Sequence, residues 1–147
     1  MTGDRANRFV VANCMLLAGS FFVVGVLFIA APDGTLGVLD DVGDWFGGFS
    51  PAPETAEQLW LGLGFAYMMV ITGICLVVAT DVVRFRPLLL VLAAGKAASS
   101  LSTLGFYLFD DDVFAYLLNF IVDGLLVGVA LFLWSVAGRV GAPAAPS

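Results

Sequence analysis

The sequence predicts an all-α integral membrane protein, four transmembrane helices in an antiparallel bundle, with a short amphipathic helix in the first outer loop. Three observations predict it. Apolar residues make up 61% of the chain and charged residues 12%, against about 45–50% and about 25% in soluble domains. Four separate stretches are long and apolar enough to cross a bilayer, which takes roughly 20 residues in a helix. Five of the six basic residues fall outside these stretches, and all five sit on one side.

The first span covers 9–31. Its apolar run is longer than the about 7–15 residues of a signal-peptide core. With Arg5 and Arg8 before it, it reads as a retained anchor. The first outer connection follows. Leu39, Val42, Phe46 and Phe49 recur at three or four residues while Asp40, Asp41 and Asp44 take the other side. That pattern predicts an amphipathic helix on the membrane surface, with Trp45 and Phe46 dipping in; Gly43, Gly47 and Gly48 disfavour helix and leave an irregular loop as the alternative. Residues 50–54 read as a stiff turn. Thr55 is a candidate N-cap for the second span, and Glu57 would sit favourably in its first turn.

The second span covers 59–80 and the third 87–109. The few residues between them predict antiparallel neighbours. Asp110, Asp111 and Asp112 form a shorter turn into the fourth span, 113–136, and force the last two spans into a tight hairpin. Residues 1–140 thus read as one transmembrane domain, and 141–147, rich in Pro and Ala, as a disordered tail.

Orientation follows from the basic residues. Arg5 and Arg8 precede the first span, Arg84 and Arg86 join the second to the third, and Arg139 follows the fourth. The other two connections carry Asp33, Asp40, Asp41, Asp44, Glu54, Glu57 and the three aspartates of the hairpin, with no Lys or Arg. The positive-inside rule puts both termini in the cytoplasm and the acidic loops outside. The reading is a multi-pass protein of a prokaryotic cytoplasmic membrane.

The same composition excludes functions. Net charge is −6, and without a basic patch nucleic-acid binding is excluded. There is no His, which removes the commonest metal ligand, the usual haem ligand and the usual general base. Cys14 and Cys75 lie inside apolar spans and form no CxxC, so they read as inert thiols. The three adjacent aspartates lack the alternating spacing of a calcium loop. No metal and no cofactor are expected.

The chemistry that remains is a polar seam. Lys96, Ser100, Thr103 and Tyr107 share one face of the third span; Tyr116, Asn119 and Asp123 share one face of the fourth. In a tight antiparallel hairpin, a single register about the turn pairs Lys96 with Asp123, Ser100 with Asn119 and Thr103 with Tyr116. At 1.5 Å per residue, Lys96 lies roughly 15 Å from Arg86, and Asp123 roughly 16 Å from Trp134. Both are near mid-membrane, where an unpaired charge costs at least about 2.5–3.5 kcal/mol. The sequence therefore predicts a Lys96–Asp123 contact. Gly124 and Gly128 form a GxxxG suited to close helix packing. The seam has two readings: it fixes the register of the last two helices, or it forms a polar pocket for a lipid, a quinone head group, another small ligand or a proton. Asn13, Ser20 and Thr72 would widen such a pocket unless they bond within their own helices.

The layout, an anchor ending at Ala31-Pro32, an amphipathic outer segment and three closely spaced helices with few charges, resembles the DoxX-like group of small four-helix bacterial membrane proteins. That resemblance implies the four-helix fold, and some members of the group are accessory subunits of membrane oxidoreductases. It supplies no functional residues.

The expected function is a non-catalytic accessory or scaffold subunit of a larger membrane complex. Its expected partners are the lipid bilayer and other membrane subunits, with a basic partner as the candidate at the acidic face. The alternative is a small transporter or a lipid-, quinone- or ligand-binding protein using the Lys96–Asp123 seam. An enzyme would need Lys96, Asp123 or Tyr107 as acid or base.

Overall fold

The computed structural model describes residues 3–51 and 58–140. The expected turn at 52–54, the Thr55 cap, Glu57 and the tail at 141–147 lie outside the described residues. The chain forms α1 (Gly3–Ala30), α2 (Pro32–Phe46), α3 (Gln58–Thr80), α4 (Val82–Phe85), α5 (Leu88–Phe109) and α6 (Phe114–Ala137). Four of these, α1, α3, α5 and α6, are long and apolar enough to span a membrane. The spans at 59–80, 87–109 and 113–136 agree with α3, α5 and α6 to within a residue at each end. α1 begins six residues earlier than the apolar run, because a helix need not stop where its apolar face does.

Each span buries one narrow stripe. On α1 this is Ala6, Val10, Cys14, Ala18, Phe21 and Gly25, and on α3 it is Ile71, Cys75 and Val78. Steps of three and four keep such residues on one side of a helix. The stripes meet in a core that also takes Leu89, Leu92 and Ala93 from α5 and Ala130 and Leu133 from α6. The other faces are apolar and exposed, as in Leu16, Val23, Leu63, Val70, Leu101 and Leu125; these are the surfaces that contact lipid. Packing is closest within two antiparallel pairs, α1 with α3 and α5 with α6, and sparser between the pairs.

Glycine sets the approach within the first pair. A Cβ on Gly25 would stand 2.9 Å from the Cβ of Met68 and 3.2 Å from Met69 Cε. The two backbones cross there at a distance no larger residue permits.

The amphipathic outer helix exists, but it is placed differently from the periodicity. It runs from Pro32, where the ring fixes the first helical turn, to Phe46, and so starts seven residues before Leu39 and ends before Phe49. Gly47 and Gly48 adopt φ of 70° and 84°, a conformation open to glycine, and turn the chain away. Phe49 then packs edge-on against Phe114 at 5.1 Å, while Phe46 stacks on the same ring at 5.8 Å. Gly43 is a packing residue: a Cβ there would lie 2.8 Å from Phe114 Cβ. α2 therefore docks on the start of α6. Ser50 fastens the following segment by donating from Oγ to Asp112 Oδ1 at 2.9 Å.

The opposite end of the bundle gathers α4, the start of α1 and the end of α6. Asp81 caps α4 by accepting from the Arg84 backbone N–H at 3.0 Å. Arg86 Nε donates to the Trp134 carbonyl at 2.8 Å, and its guanidinium lies 4.1 Å over the Trp134 ring. This cation sits at the negative end of the α6 dipole and shares the Trp134 carbonyl with the Gly138 backbone N–H, which donates to it at 3.3 Å. Gly138 makes room, since a Cβ there would meet Arg86 Nη2 at 2.9 Å. Arg86→Ala is expected to cost about 1–2 kcal/mol, read as lowered thermal stability together with faster amide exchange in the last turn of α6. Unchanged exchange there would dismiss the capping role.

Candidate functional site: a charge cluster at the centre of the four helices

Lys96 and Asp123 are the two charged side chains within the described cores of the spans, and they meet. Lys96 Nζ donates to Asp123 Oδ1 at 2.9 Å. The pair is enclosed, with Lys96 1% and Asp123 4% exposed.

The ammonium reaches beyond its counter-ion. Nζ lies 4.4 Å from the centroid of the Phe21 ring and 5.3 Å from that of Tyr67. Both rings are within the distance at which an aromatic face attracts a cation, an interaction that strengthens when water is excluded. Phe21 comes from α1, Tyr67 from α3, Lys96 from α5 and Asp123 from α6. One ammonium thus touches all four spans, and it joins the two helix pairs where their packing is otherwise sparse.

Toward the acidic end a second layer of the seam joins α5 to α6. Ser100 Oγ donates to the Phe120 carbonyl at 2.8 Å. The Asn119 amide donates to Ser99 Oγ and to Thr103 Oγ1, each at 3.3 Å. The Thr103 hydroxyl turns back to the Ser99 and Ser100 carbonyls at 3.1 Å.

Two expected pairings are thus corrected. Asn119 bonds Ser99 and Thr103 rather than Ser100, and Tyr116 packs its ring against Phe106, 5.8 Å between centroids, rather than bonding Thr103. A constant register fixes equal depth, while helix rotation decides which neighbour at that depth faces across. Tyr107 is half-buried and lies outside the hydrogen-bonded network. The Cβ position of Gly124 stands 3.4 Å from Ser100 Oγ, an ordinary contact distance, and that of Gly128 has nothing within 4 Å. The two glycines of the GxxxG share a face of α6, but the contact with α5 at Gly124 is not continued one turn on at Gly128, so within the chain they do not work as one packing surface.

The candidate wideners bond mainly within their own helices, and Thr72 also reaches α1. Asn13 donates to the Phe9 carbonyl at 2.8 Å and Thr72 to the Met68 carbonyl at 2.9 Å, with a longer bond to Ala18. Ser20 is exposed on the outer face of α1. Cys14 and Cys75 are free thiols buried in the core. Among the described residues no three His, Cys, Asp or Glu side chains gather to hold a metal ion.

The polar pattern that marks the seam in the sequence does not include Phe21 or Tyr67. Tyr67 had a signal: tyrosine favours the membrane interface, and this one lies deep within a span. Phe21 had none, being one of 13 phenylalanines.

The fold and site define a multi-pass four-helix membrane protein built around a buried ion pair. Compared with protein-family models, curated proteins and solved structures, the chain matches none.

Proposed function

We propose that the chain is a non-catalytic accessory or scaffold subunit of a larger complex in a prokaryotic cytoplasmic membrane. The observation that carries this reading is the enclosure of the charge cluster. The residues that could do chemistry, Lys96 and Asp123, are turned inward, and most of the polar groups around them hold one helix to another. What the protein offers outward is shape. Gly62, Gly64 and Gly73 of α3 have nothing within 4 Å of their Cβ positions, and such surfaces let a neighbouring helix approach closely in lipid. The layout resembles that of DoxX-like proteins, and a subunit role agrees with that resemblance. So does the charge pattern, which orients both termini to the cytoplasm and the aspartates outward, where a basic partner would be attracted.

A second reading is favoured by a cleft of about 280 Å³ where α1, α2 and α3 meet, lined by Phe28, Leu36, Trp60, Leu61, Gly64 and Met68. Its walls suit the chain of a lipid or quinone. Purification from native membranes in mild detergent tests both. The subunit reading expects a partner protein to copurify in fixed ratio. A stable monomer without one overturns it, and a monomer that keeps one lipid or quinone per chain through washing supports the second reading instead.

A further inference from the structure

The charge cluster leaves one hydrogen-bonding group over. The Tyr67 hydroxyl is buried and, among the described residues, has no hydrogen-bond partner. It is pressed toward the α5 backbone, where a Cβ on Gly95 would stand 3.3 Å from Tyr67 Oη. Glycine one residue before Lys96 is what admits the phenol to this layer. Two other groups have capacity to spare. Lys96 carries three N–H donors and gives one to Asp123 Oδ1. Asp123 takes that single bond among the described residues, though a carboxylate accepts several. Lys96 Nζ thus stands 2.9 Å from Asp123 Oδ1, 5.3 Å from the centroid of the ring that carries the Tyr67 hydroxyl and 4.4 Å from the centroid of Phe21, which brings donors and an acceptor with spare capacity into one layer at mid-membrane.

We propose that Tyr67, Lys96 and Asp123 together bind one water molecule. The water accepts from Tyr67 Oη and from Lys96 Nζ and donates to the Asp123 carboxylate, which gives it the about three hydrogen bonds usual for a buried water. It satisfies a hydroxyl whose burial without a partner would carry the full desolvation penalty. It also makes α3 a hydrogen-bonded member of the cluster rather than only an aromatic wall. The proposal stands on this geometry and is independent of the subunit reading.

Tyr67→Phe tests it, because the ring and its contact with the ammonium remain and only the hydroxyl goes. An unpaired hydroxyl and a bonded one give opposite signs. If the water is bound, the variant melts about 2–4 °C below the parent protein in the same detergent, and the difference disappears in a Lys96→Met, Asp123→Asn background. A structure at a resolution that shows water then has density within hydrogen-bond distance of Tyr67 Oη and the Asp123 carboxylate. A melting temperature that rises or stays the same overturns the proposal. So does a lowered melting temperature with a direct Tyr67–Asp123 hydrogen bond and no water between them.

Discussion

Lys96→Met is expected to lower the stability of the folded protein by about 3–5 kcal/mol. The substitution keeps most of the length and packing of the side chain, so the loss is mainly electrostatic. Asp123 stays at the centre of the bundle, 4% exposed, and its counter-ion 2.9 Å away is gone. A buried carboxylate without a partner is the costly half of a broken ion pair. The aromatic faces of Phe21 and Tyr67 lose their cation at the same time. Replacing both charges, Lys96→Met with Asp123→Asn, is expected to restore most of the loss, since apolar or neutral groups of similar volume often match a buried pair. Unfolding free energies of the parent, the two single variants and the double variant in the same micelles measure this. A double variant no more stable than Lys96→Met alone would show that the charges are not coupled.

The second large effect is expected at Gly25. A valine there places its Cβ where Met68 Cβ, 2.9 Å away, and Met69 Cε, 3.2 Å away, already stand. Met68 Cβ is fixed to the α3 backbone and cannot swing aside, so the helices must separate at their crossing. Overpacking of this kind costs about 1–3 kcal/mol. Gly19→Val on the same helix is the control, because nothing lies within 4 Å of its Cβ position. Thermal unfolding should separate the two variants clearly. Equal melting temperatures would mean that α1 and α3 are not in close contact at Gly25.

These two sites differ in how they could be read. Lys96 and Asp123 were legible because each is a charge in an apolar span and because three aspartates leave α5 and α6 only one way to turn. The same logic overreached one turn further out. Ser100 and Asn119 are at matching depth, yet Asn119 reaches Ser99 and Thr103, since depth follows from residue number and rotation does not. Gly25 carried no mark that set it apart among 17 glycines. Gly43 was misleading: by propensity it argued against a helix, and in the fold it is the point where α2 meets Phe114.

By itself the sequence determined the four spans, the hairpin of the last two, the end of the bundle at which the arginines gather and the pairing of its one intramembrane lysine with its one intramembrane aspartate. These follow from local quantities: the length of an apolar run, the shortness of a turn and the cost of a charge in hydrocarbon. Only the tertiary structure decided that α1 and α3 turn Phe21 and Tyr67 onto that lysine, that α2 folds over the start of α6, and that the pair became the meeting point of four helices. Those depend on how each helix is rotated about its axis. In a chain whose faces are nearly all apolar, composition does not encode that rotation; close contacts between glycine and its neighbours do.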